Sequence, residues 1–154
     1  MSRVEERMAE LGIELPPAPK ALAAYVPAVV TADWVYTAGQ LPLRGGEPIA
    51  TGLVGGDVSA EIAADCARQC ALNALAAIKG AVEDLDRVER IVKVTGFVAS
   101  APGFSGQPLV LNGASELLAT AMGDRGVHAR SAVGVAVLPL NVPVEVEVIA
   151  RLRG

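Results

Sequence analysis

The sequence predicts an α+β fold in which two helices cover one face of a β-sheet. Two segments, at about 59–82 and 108–122, repeat apolar residues at the spacing of an amphipathic helix. Runs rich in β-branched residues predict strands, at about 25–31, 34–38, 88–99, 131–137 and 144–152. The resulting order β-β-α-β-α-β-β is typical of a layer of helices packed on a sheet.

Short elements complete the first third of the chain. Residues 2–11 are expected to form a short amphipathic helix. Ala32-Asp33 is predicted to be the tight turn between the first two strands. Residues 44–56 contain five glycines, which predict a flexible loop rather than a phosphate-binding motif, because no Lys-Ser/Thr pair follows them.

The first long helix is predicted to begin after Ser59, whose hydroxyl can cap its N-terminus. Its apolar stripe repeats every four residues: Ile62, Cys66, Cys70, Ala74 and Ile78. The two cysteines are therefore expected to be small buried residues rather than a disulfide or a metal site.

The three later strands define two faces of the sheet. On the strand at 88–99, Val92, Val94 and Val98 are expected to share one face. On the final strand the valines should meet the helices, whereas Glu145 and Glu147 point the other way. That second face also carries apolar residues, and an oligomer whose sheets face each other would cover them.

Composition narrows the class of protein. The chain has 154 residues and is expected to form one domain, residues 1–154. Its net charge is −4 and its basic residues are scattered, which argues against nucleic-acid binding. Neither a signal-peptide-like start nor a membrane-length apolar run is visible, so a cytoplasmic protein without membrane contact is expected.

Arg130 is the most informative single residue. It begins an apolar strand, and no other charged residue follows until Glu145. A guanidinium in that position can bind a carboxylate with two hydrogen bonds at the end of a sheet. The alternative is a salt bridge to an acidic residue at the sheet's edge.

Several motifs resemble those of the RidA/YjgF family, also called L-PSP endoribonucleases. Its C-terminal signature is matched by Ala129-Arg130-Ser131-Ala132-Val133, Leu138-Pro139 and residues 144–150. Residues 36–42, Tyr-Thr-Ala-Gly-Gln-Leu-Pro, are similar to its Thr-Ser-Gly-Gln-Ile-Pro motif. The resemblance covers about residues 20–152, and the segments 111–115 and 128–135 are similar to a divergent branch.

The resemblance implies a chorismate-mutase-like fold and a homotrimer with ligand sites in the clefts between subunits. The activity it implies is hydrolysis of reactive enamine or imine intermediates, such as 2-aminoacrylate, to 2-keto acids and ammonia. Neither a metal nor another cofactor is implied. The expected ligand is a small metabolite that bears a carboxylate.

The resemblance also assigns roles to residues. Arg130 matches the arginine that binds the ligand carboxylate, and Gly39 would offer its backbone N–H to the same group. Glu145 matches the acidic residue that positions water and is the expected catalytic residue. Tyr25 and Asn112 match further substrate-binding positions.

One departure from the family pattern keeps other functions open. Ala38 replaces the serine that precedes the motif glycine, so a hydroxyl that could hold substrate or water is missing. A non-catalytic protein that binds or senses a small carboxylate is therefore the second hypothesis. Ribonuclease activity or translation inhibition is the third, and the acidic charge and the lack of a His/Lys cluster argue against it.

Each site residue also has a structural interpretation. Glu145 could lie on a solvated strand face or pair with Arg151 of another subunit, and Tyr25 could be packing at a strand edge. Asn112 could bond only to its own helix. His128 could be a base, but a histidine in a surface loop is the simpler interpretation.

The predicted pairing of the last two strands constrains the site. If 131–137 and 144–152 form a hairpin, Arg130 lies opposite about residue 151. Glu145 is then six residues further along, about 20 Å away. Either Glu145 serves the site from a neighbouring subunit, or the hairpin pairing is wrong.

Overall fold

The computed structural model describes residues 1–20 and 24–154 and confirms the α+β fold. Its helices are α1 (Arg3–Glu10), α2 (Ala60–Val82) and α3 (Gln107–Met122). Its strands are β1 (Ala28–Thr31), β2 (Trp34–Thr37), β3 (Leu43–Arg44), β4 (Glu47–Pro48), β5 (Val88–Ala99), β6 (Ala129–Val135) and β7 (Val144–Leu152). Five of these strands form one sheet in the order β1-β2-β7-β5-β6.

The predicted hairpin between the last two strands is wrong. β5 lies between β6 and β7 and pairs with both, parallel to β6 and antiparallel to β7. Parallel neighbours need a long crossover, and α3 supplies it between β5 and β6. Central β7 is antiparallel to β2 as well as to β5, so strands from both ends of the chain meet on it.

The core lies between the sheet and the two long helices. The alternate residues of β7 from Val144 to Leu152 are buried there, as the sequence predicts. On α2 the predicted stripe is confirmed at Cys66, Cys70, Ala74 and Ile78, which are fully buried. Ile62 is the exception at 49 % exposed, because it lies in the first turn of the helix, at the edge of the core.

Both cysteines are free and buried, as the helical spacing predicts. Burial raises the pKa of the Cys66 thiol to about 11 and that of Cys70 well above its ordinary value. The Cys70 Sγ lies 3.7 Å from the carbonyl oxygen of Val144. These thiols therefore pack helix against sheet and are poor nucleophiles at neutral pH.

Irregular pairing in β5 changes which side chains face the helices. The register against β7 shifts between Ile91 and Lys93, and Ile91 and Val94 are both fully buried. A bulge adds one residue and reverses the alternation on one side of it. Val92, which the simple alternation placed with Val94, is only half-buried.

Hydrogen bonds define the shorter elements. Ser2 caps α1 through a capping box with Glu5, and Ser59 accepts from the Ile62 N–H as predicted. Ala32 adopts a φ of +48° in the predicted turn between β1 and β2. The segment 44–56 is more regular than predicted, since its first part forms the β3–β4 hairpin with a turn at Gly45-Gly46.

One face of the sheet lacks a cover in the isolated chain. Val29, Tyr36 and Val133 lie on the face away from the helices and are 51 %, 44 % and 45 % exposed. Glu145 and Glu147 belong to the same face and are half-buried. Within the described residues, no helix is both long and apolar enough to cross a membrane.

Candidate functional site

Arg130 lies in β6, and its guanidinium group is held by α3. Nη1 donates to Oδ1 of Asn112 at 2.9 Å and to Oγ of Ser115 at 3.2 Å. Nη2 donates to the carbonyl oxygen of Pro108 at 3.2 Å. A guanidinium has five N–H donors, so Nε–H and one hydrogen of Nη2 are left without a partner among residues 1–20 and 24–154.

The spacing of residues along α3 explains how the helix makes these three hydrogen bonds. Pro108, Asn112 and Ser115 are spaced four and three residues apart, so they share one face of the helix. Parallel pairing of β5 with β6 brings that face over the start of β6. The predicted neighbours Arg130 and Asn112 are thus brought together, and Asn112 bonds to more than its own helix.

His128 extends the same cluster. Its Nε2 lies 2.9 Å from Oγ of Ser115, and its Nδ1 lies 2.6 Å from the carbonyl oxygen of Gly126. Burial lowers the pKa of His128, and the positive charge of Arg130 lowers it further, against the effect of the Gly126 hydrogen bond. His128 therefore lies in the loop before β6, as expected, but its ring is half-buried and contacts Ser115 of α3.

Gly39 and Glu145 form a second group, on the other side of the sheet. A Cβ atom added to Gly39 would lie 2.8 Å from Cδ of Glu145. The carboxylate therefore occupies the space that any side chain at position 39 would need. Two predicted site residues again lie together, although they are far apart in sequence.

An irregularity at the end of β2 creates this contact. Regular pairing between β2 and β7 ends at Tyr36, and a bridge resumes at Gln40 with Val146. Between them, Oγ1 of Thr37 accepts the backbone N–H of Val148 at 2.9 Å. The backbone N–H of Gly39 has no hydrogen-bond partner in the part of the chain that the structure describes, so it can donate to a ligand.

The surroundings of Glu145 raise the pKa of its carboxyl group. Burial raises its pKa, and the nearby negative charge of Glu147 raises it further. A carboxylate of raised pKa is better suited to accept a proton from water. Among the described residues, no group of three or more His, Cys, Asp or Glu side chains is arranged to hold a metal ion.

The two groups lie apart within one chain. Arg130 is level with Val94 of β5, whereas Glu145 is level with Phe97 and one strand beyond β5. Two strand spacings and three residues separate them, about 14 Å. This separation replaces the value of about 20 Å that the predicted hairpin gave. Arg130 also points toward the helices and Glu145 away from them. The two side chains of one subunit therefore cannot contact the same small ligand.

Tyr25 lies in a segment that runs beside the one carrying Gly39, since the Ala38 N–H donates to the carbonyl oxygen of Pro27 at 2.8 Å. It precedes β1 and is 56 % exposed.

Ser115 is the residue that sequence reasoning missed. Its spacing from Asn112 on the predicted helix was the available signal, but nothing in the sequence placed that helix beside Arg130.

The fold and the motifs agree with a match to a known family. Residues 16–152 match the family described as Endoribonuclease L-PSP. The chain belongs to this family, which is the RidA/YjgF family, and its α+β structure is consistent with the chorismate-mutase-like fold of YjgF-like proteins.

This chain aligns over almost the whole length of two known proteins. Protein TCP17 of Trypanosoma cruzi is 40 % identical over 98 % of this chain and 95 % of that protein. The 2-iminobutanoate/2-iminopropanoate deaminase of Salmonella typhimurium is 37 % identical over 88 % of this chain and 93 % of that protein.

Solved structures share the fold of this chain. The protein Atu1372 of Agrobacterium tumefaciens, described as of unknown function, is 46 % identical with a TM-score of 0.91, over 97 % of this chain and 92 % of that one. The structure of Escherichia coli TdcF with bound serine is 28 % identical with a TM-score of 0.64, over 89 % and 94 % of the two chains.

Proposed function

We propose that this protein hydrolyses reactive enamine and imine intermediates to 2-keto acids and ammonia, in the cytoplasm and without a cofactor. The substrate class is small 2-imino acids, with 2-aminoacrylate as the type compound. The observation that carries the proposal is the pair of N–H donors that Arg130 keeps after α3 has engaged the others. Two donors are what a carboxylate needs for bidentate binding.

The second group supplies the chemistry. In 2-iminopropanoate the electrophilic carbon carries a C=N bond beside the carboxylate. In its protonated iminium form, this carbon is attacked by water while Glu145 takes one water proton, and a neutral carbinolamine forms. Glu145 passes this proton to nitrogen and accepts the hydroxyl proton as the C=O bond forms and the C–N bond breaks. The 2-keto acid leaves, and ammonia departs with the last proton as ammonium. Each imine consumes one water and releases one ammonia.

The protein lowers the barrier to this reaction mainly by positioning the reacting groups. An iminium carbon is already electrophilic, so holding the carboxylate and aligning one water can supply much of the rate gain. The N–H of Gly39, which lies beside Glu145 and has no partner among the described residues, is a further donor for substrate or water. Tyr25, which is exposed before β1, would cover the ligand from the side of a neighbouring subunit.

The site requires more than one chain. Arg130 and Glu145 lie on opposite sides of the sheet, about 14 Å apart, so one small ligand can meet both only if they belong to different subunits. The uncovered sheet face, which carries Val29, Tyr36 and Val133, is the surface available for assembly. We propose a homotrimer with three such clefts. The mass of one chain is 15.7 kDa, and sedimentation at micromolar concentration should give three times that mass.

Ala38 supports a second function of the same cleft. It has no hydroxyl to hold water or substrate, so the protein could bind a small carboxylate without turning it over. The bound serine of TdcF fits small-molecule binding in a protein of similar fold. This alternative predicts binding of 2-keto acids by calorimetry together with no effect on imine decay.

One experiment separates the two functions. 2-Aminoacrylate is generated in situ by a PLP-dependent lyase, and release of the 2-keto acid and ammonia is followed with and without this protein. The proposal expects acceleration that Arg130→Ala reduces at least about tenfold, since a charge-assisted bidentate contact is lost.

The matched control is Arg3→Ala, which removes an exposed arginine of α1 that pairs with Asp86. It should retain wild-type acceleration. No acceleration by the wild-type protein, or equal acceleration by Arg130→Ala, would overturn the enzymatic proposal. Binding of pyruvate without acceleration would favour the carboxylate-binding protein.

A further inference from the structure

A chain of hydrogen bonds runs from Arg130 away from the proposed ligand position. It passes through Ser115 and His128 and ends at the carbonyl oxygen of Gly126. Neither Ser115 nor His128 has a part in the proposed chemistry. Both are half-buried between α3 and the start of β6.

The direction of each bond in this chain follows from the groups themselves. A guanidinium can only donate, so Ser115 Oγ accepts from Nη1 of Arg130. The carbonyl of Gly126 can only accept, so Nδ1 of His128 carries a proton and donates to it. In neutral imidazole Nε2 is then an acceptor, and the Ser115 hydroxyl donates a hydrogen bond to it.

With a neutral ring, the chain specifies one state for every member. His128 is the neutral Nδ1–H tautomer, and Ser115 has both its donor and its acceptor role in use. With Asn112 on its other hydrogen, Nη1 of Arg130 is fully engaged. What remains of the guanidinium is the Nε–H and one hydrogen of Nη2, the nitrogen that shares an edge of the planar group with Nε–H.

We propose that Ser115 and His128 are positioning residues for Arg130, which hold Nη1 against α3 so that the edge formed by Nε and Nη2 is presented to a ligand carboxylate. This rests on the proposed function only in naming the ligand. Arginine side chains lose much rotamer freedom when they bind, and an arginine held before binding loses less.

Charge supports a neutral histidine in this place. His128 faces Arg130 from β6 and Ser115 from α3, and Arg130 is the charged group that acts on it. A cationic His128 would donate to Ser115, whose oxygen would then accept from two cations and whose own proton would need another acceptor. The neutral ring accepts that proton in a hydrogen bond and adds no second positive charge behind the guanidinium.

The first test needs no substrate. His128 is the only histidine of the chain, so protein labelled with ¹⁵N,¹³C-histidine gives one ring signal in NMR. At pH 7 the expected result is the neutral Nδ1–H tautomer in the wild-type protein. In Ser115→Ala the Gly126 carbonyl still holds the proton on Nδ1, and the Nε2 signal should shift because its hydrogen bond from the serine hydroxyl is lost. A cationic ring, or the Nε2–H tautomer, in the wild-type protein would overturn the proposal.

The second test observes Arg130 directly. The ¹⁵Nε–¹H heteronuclear NOE of Arg130 should show a rigid side chain in the wild-type protein and in Ser115→Thr, which retains the hydroxyl. Ser115→Ala should show a mobile one. Equal rigidity in Ser115→Ala would contradict the positioning role even if the enzyme is fully active.

The third test links position to ligand. Ser115→Ala is expected to raise KM, or the dissociation constant for pyruvate, about fivefold to tenfold with a smaller change in kcat. His128→Gln, whose side-chain oxygen can still accept from Ser115, should retain tighter binding than His128→Asn, which is too short. Equal loss in both histidine variants would argue for a packing role alone.

These readouts separate the two proposals. If wild-type protein neither binds carboxylates nor accelerates imine decay, the proposed function fails, while the tautomer and the NOE still decide whether Ser115 and His128 hold Arg130. If activity is present but KM is unchanged in Ser115→Ala, the positioning proposal alone fails. Thermal unfolding of each variant shows whether it is folded.

Discussion

The backbone of Gly39 lies so close to the carboxylate of Glu145 that a Cβ atom at position 39 would be 2.8 Å from Cδ of Glu145. The two residues come from opposite ends of the chain and meet where the pairing of β2 with β7 is interrupted. A backbone N–H that has no partner in the described part of the chain and a half-buried carboxylate thus lie side by side. Both roles depend on the absence of a side chain at position 39.

Gly39→Ala should displace the Glu145 carboxylate. We expect kcat/KM for imine hydrolysis to fall about tenfold or more, because a small misplacement of a catalytic group is costly. Gly56→Ala is the matched control, since its Cβ would meet its nearest neighbour at 3.4 Å and its φ is not positive. Unchanged kinetics in Gly39→Ala would show that Glu145 is not positioned by this contact.

Glu147→Gln should shift the pH dependence of the reaction. Burial and the charge of Glu147 raise the pKa of Glu145, so the rate should fall on the acid side at a higher pH than an ordinary glutamate would give. Removal of the Glu147 charge lowers the Glu145 pKa, and the acid limb of the kcat profile should move to lower pH. A limb that does not move would indicate that another group titrates.

Ala38→Ser restores the hydroxyl that the family motif carries. The residue is half-buried and its backbone N–H is bonded to the carbonyl oxygen of Pro27, so the added oxygen should not disturb the strand end. We expect faster imine hydrolysis and a change in stability within about 0.5 kcal/mol. Tighter pyruvate binding with no turnover in this variant would favour the carboxylate-binding function.

Glu5→Gln tests the attachment of α1 through its acid sensitivity. The ion pair with Lys79 and the capping box with Ser2 lower the pKa of Glu5 to about 2 from 4.5. A lowered pKa stabilises the folded protein above pH 4.5, and this contribution is lost as the pH falls from 4.5 toward 2.

Urea unfolding measures this contribution. At pH 7 the wild-type protein should be about 1–2 kcal/mol more stable than Glu5→Gln, because Lys79 is partly exposed and its pairing is screened by solvent. The difference should shrink toward zero near pH 2. A difference that does not depend on pH would show that the ion pair contributes nothing.

Gly113→Ala tests the packing of α2 against α3. A Cβ at position 113 would lie 2.8 Å from the carbonyl carbon of Ala64, and that backbone cannot move aside without opening the helix pair. Overpacking of this kind costs about 1–3 kcal/mol. The midpoint of urea unfolding should fall accordingly, whereas Gly56→Ala should leave it nearly unchanged.

Some elements could be predicted with close boundaries because their signals are local. Ser59 capped the predicted helix, and the structure begins α2 at the next residue. The strand expected at 88–99 is β5, and the one at 144–152 is β7. Helical and strand periodicity depend only on neighbours within one or two turns, which the sequence contains in full.

Pairings between distant segments could not be predicted in this way. The sequence placed β6 beside β7 because they are consecutive, but the crossover through α3 places β6 beside β5. The bulge near Ile91 likewise has no local signal, since it depends on which strand lies alongside. Pair choice depends on packing of the whole sheet, which is a non-local property.

The layer of helices on a sheet, the family motifs and four candidate residues could be predicted from the order of amino acids: Arg130, Gly39, Glu145 and Asn112. Which of these residues meet became clear from the folded chain, in which Arg130 contacts Asn112 on one side of the sheet and Gly39 lies against Glu145 on the other. The folded chain also added Ser115 and His128 to the arginine. The reason is physical, because helix spacing and strand alternation are set by adjacent residues, whereas strand order, sheet face and hydrogen-bond direction are set by contacts between segments distant in sequence.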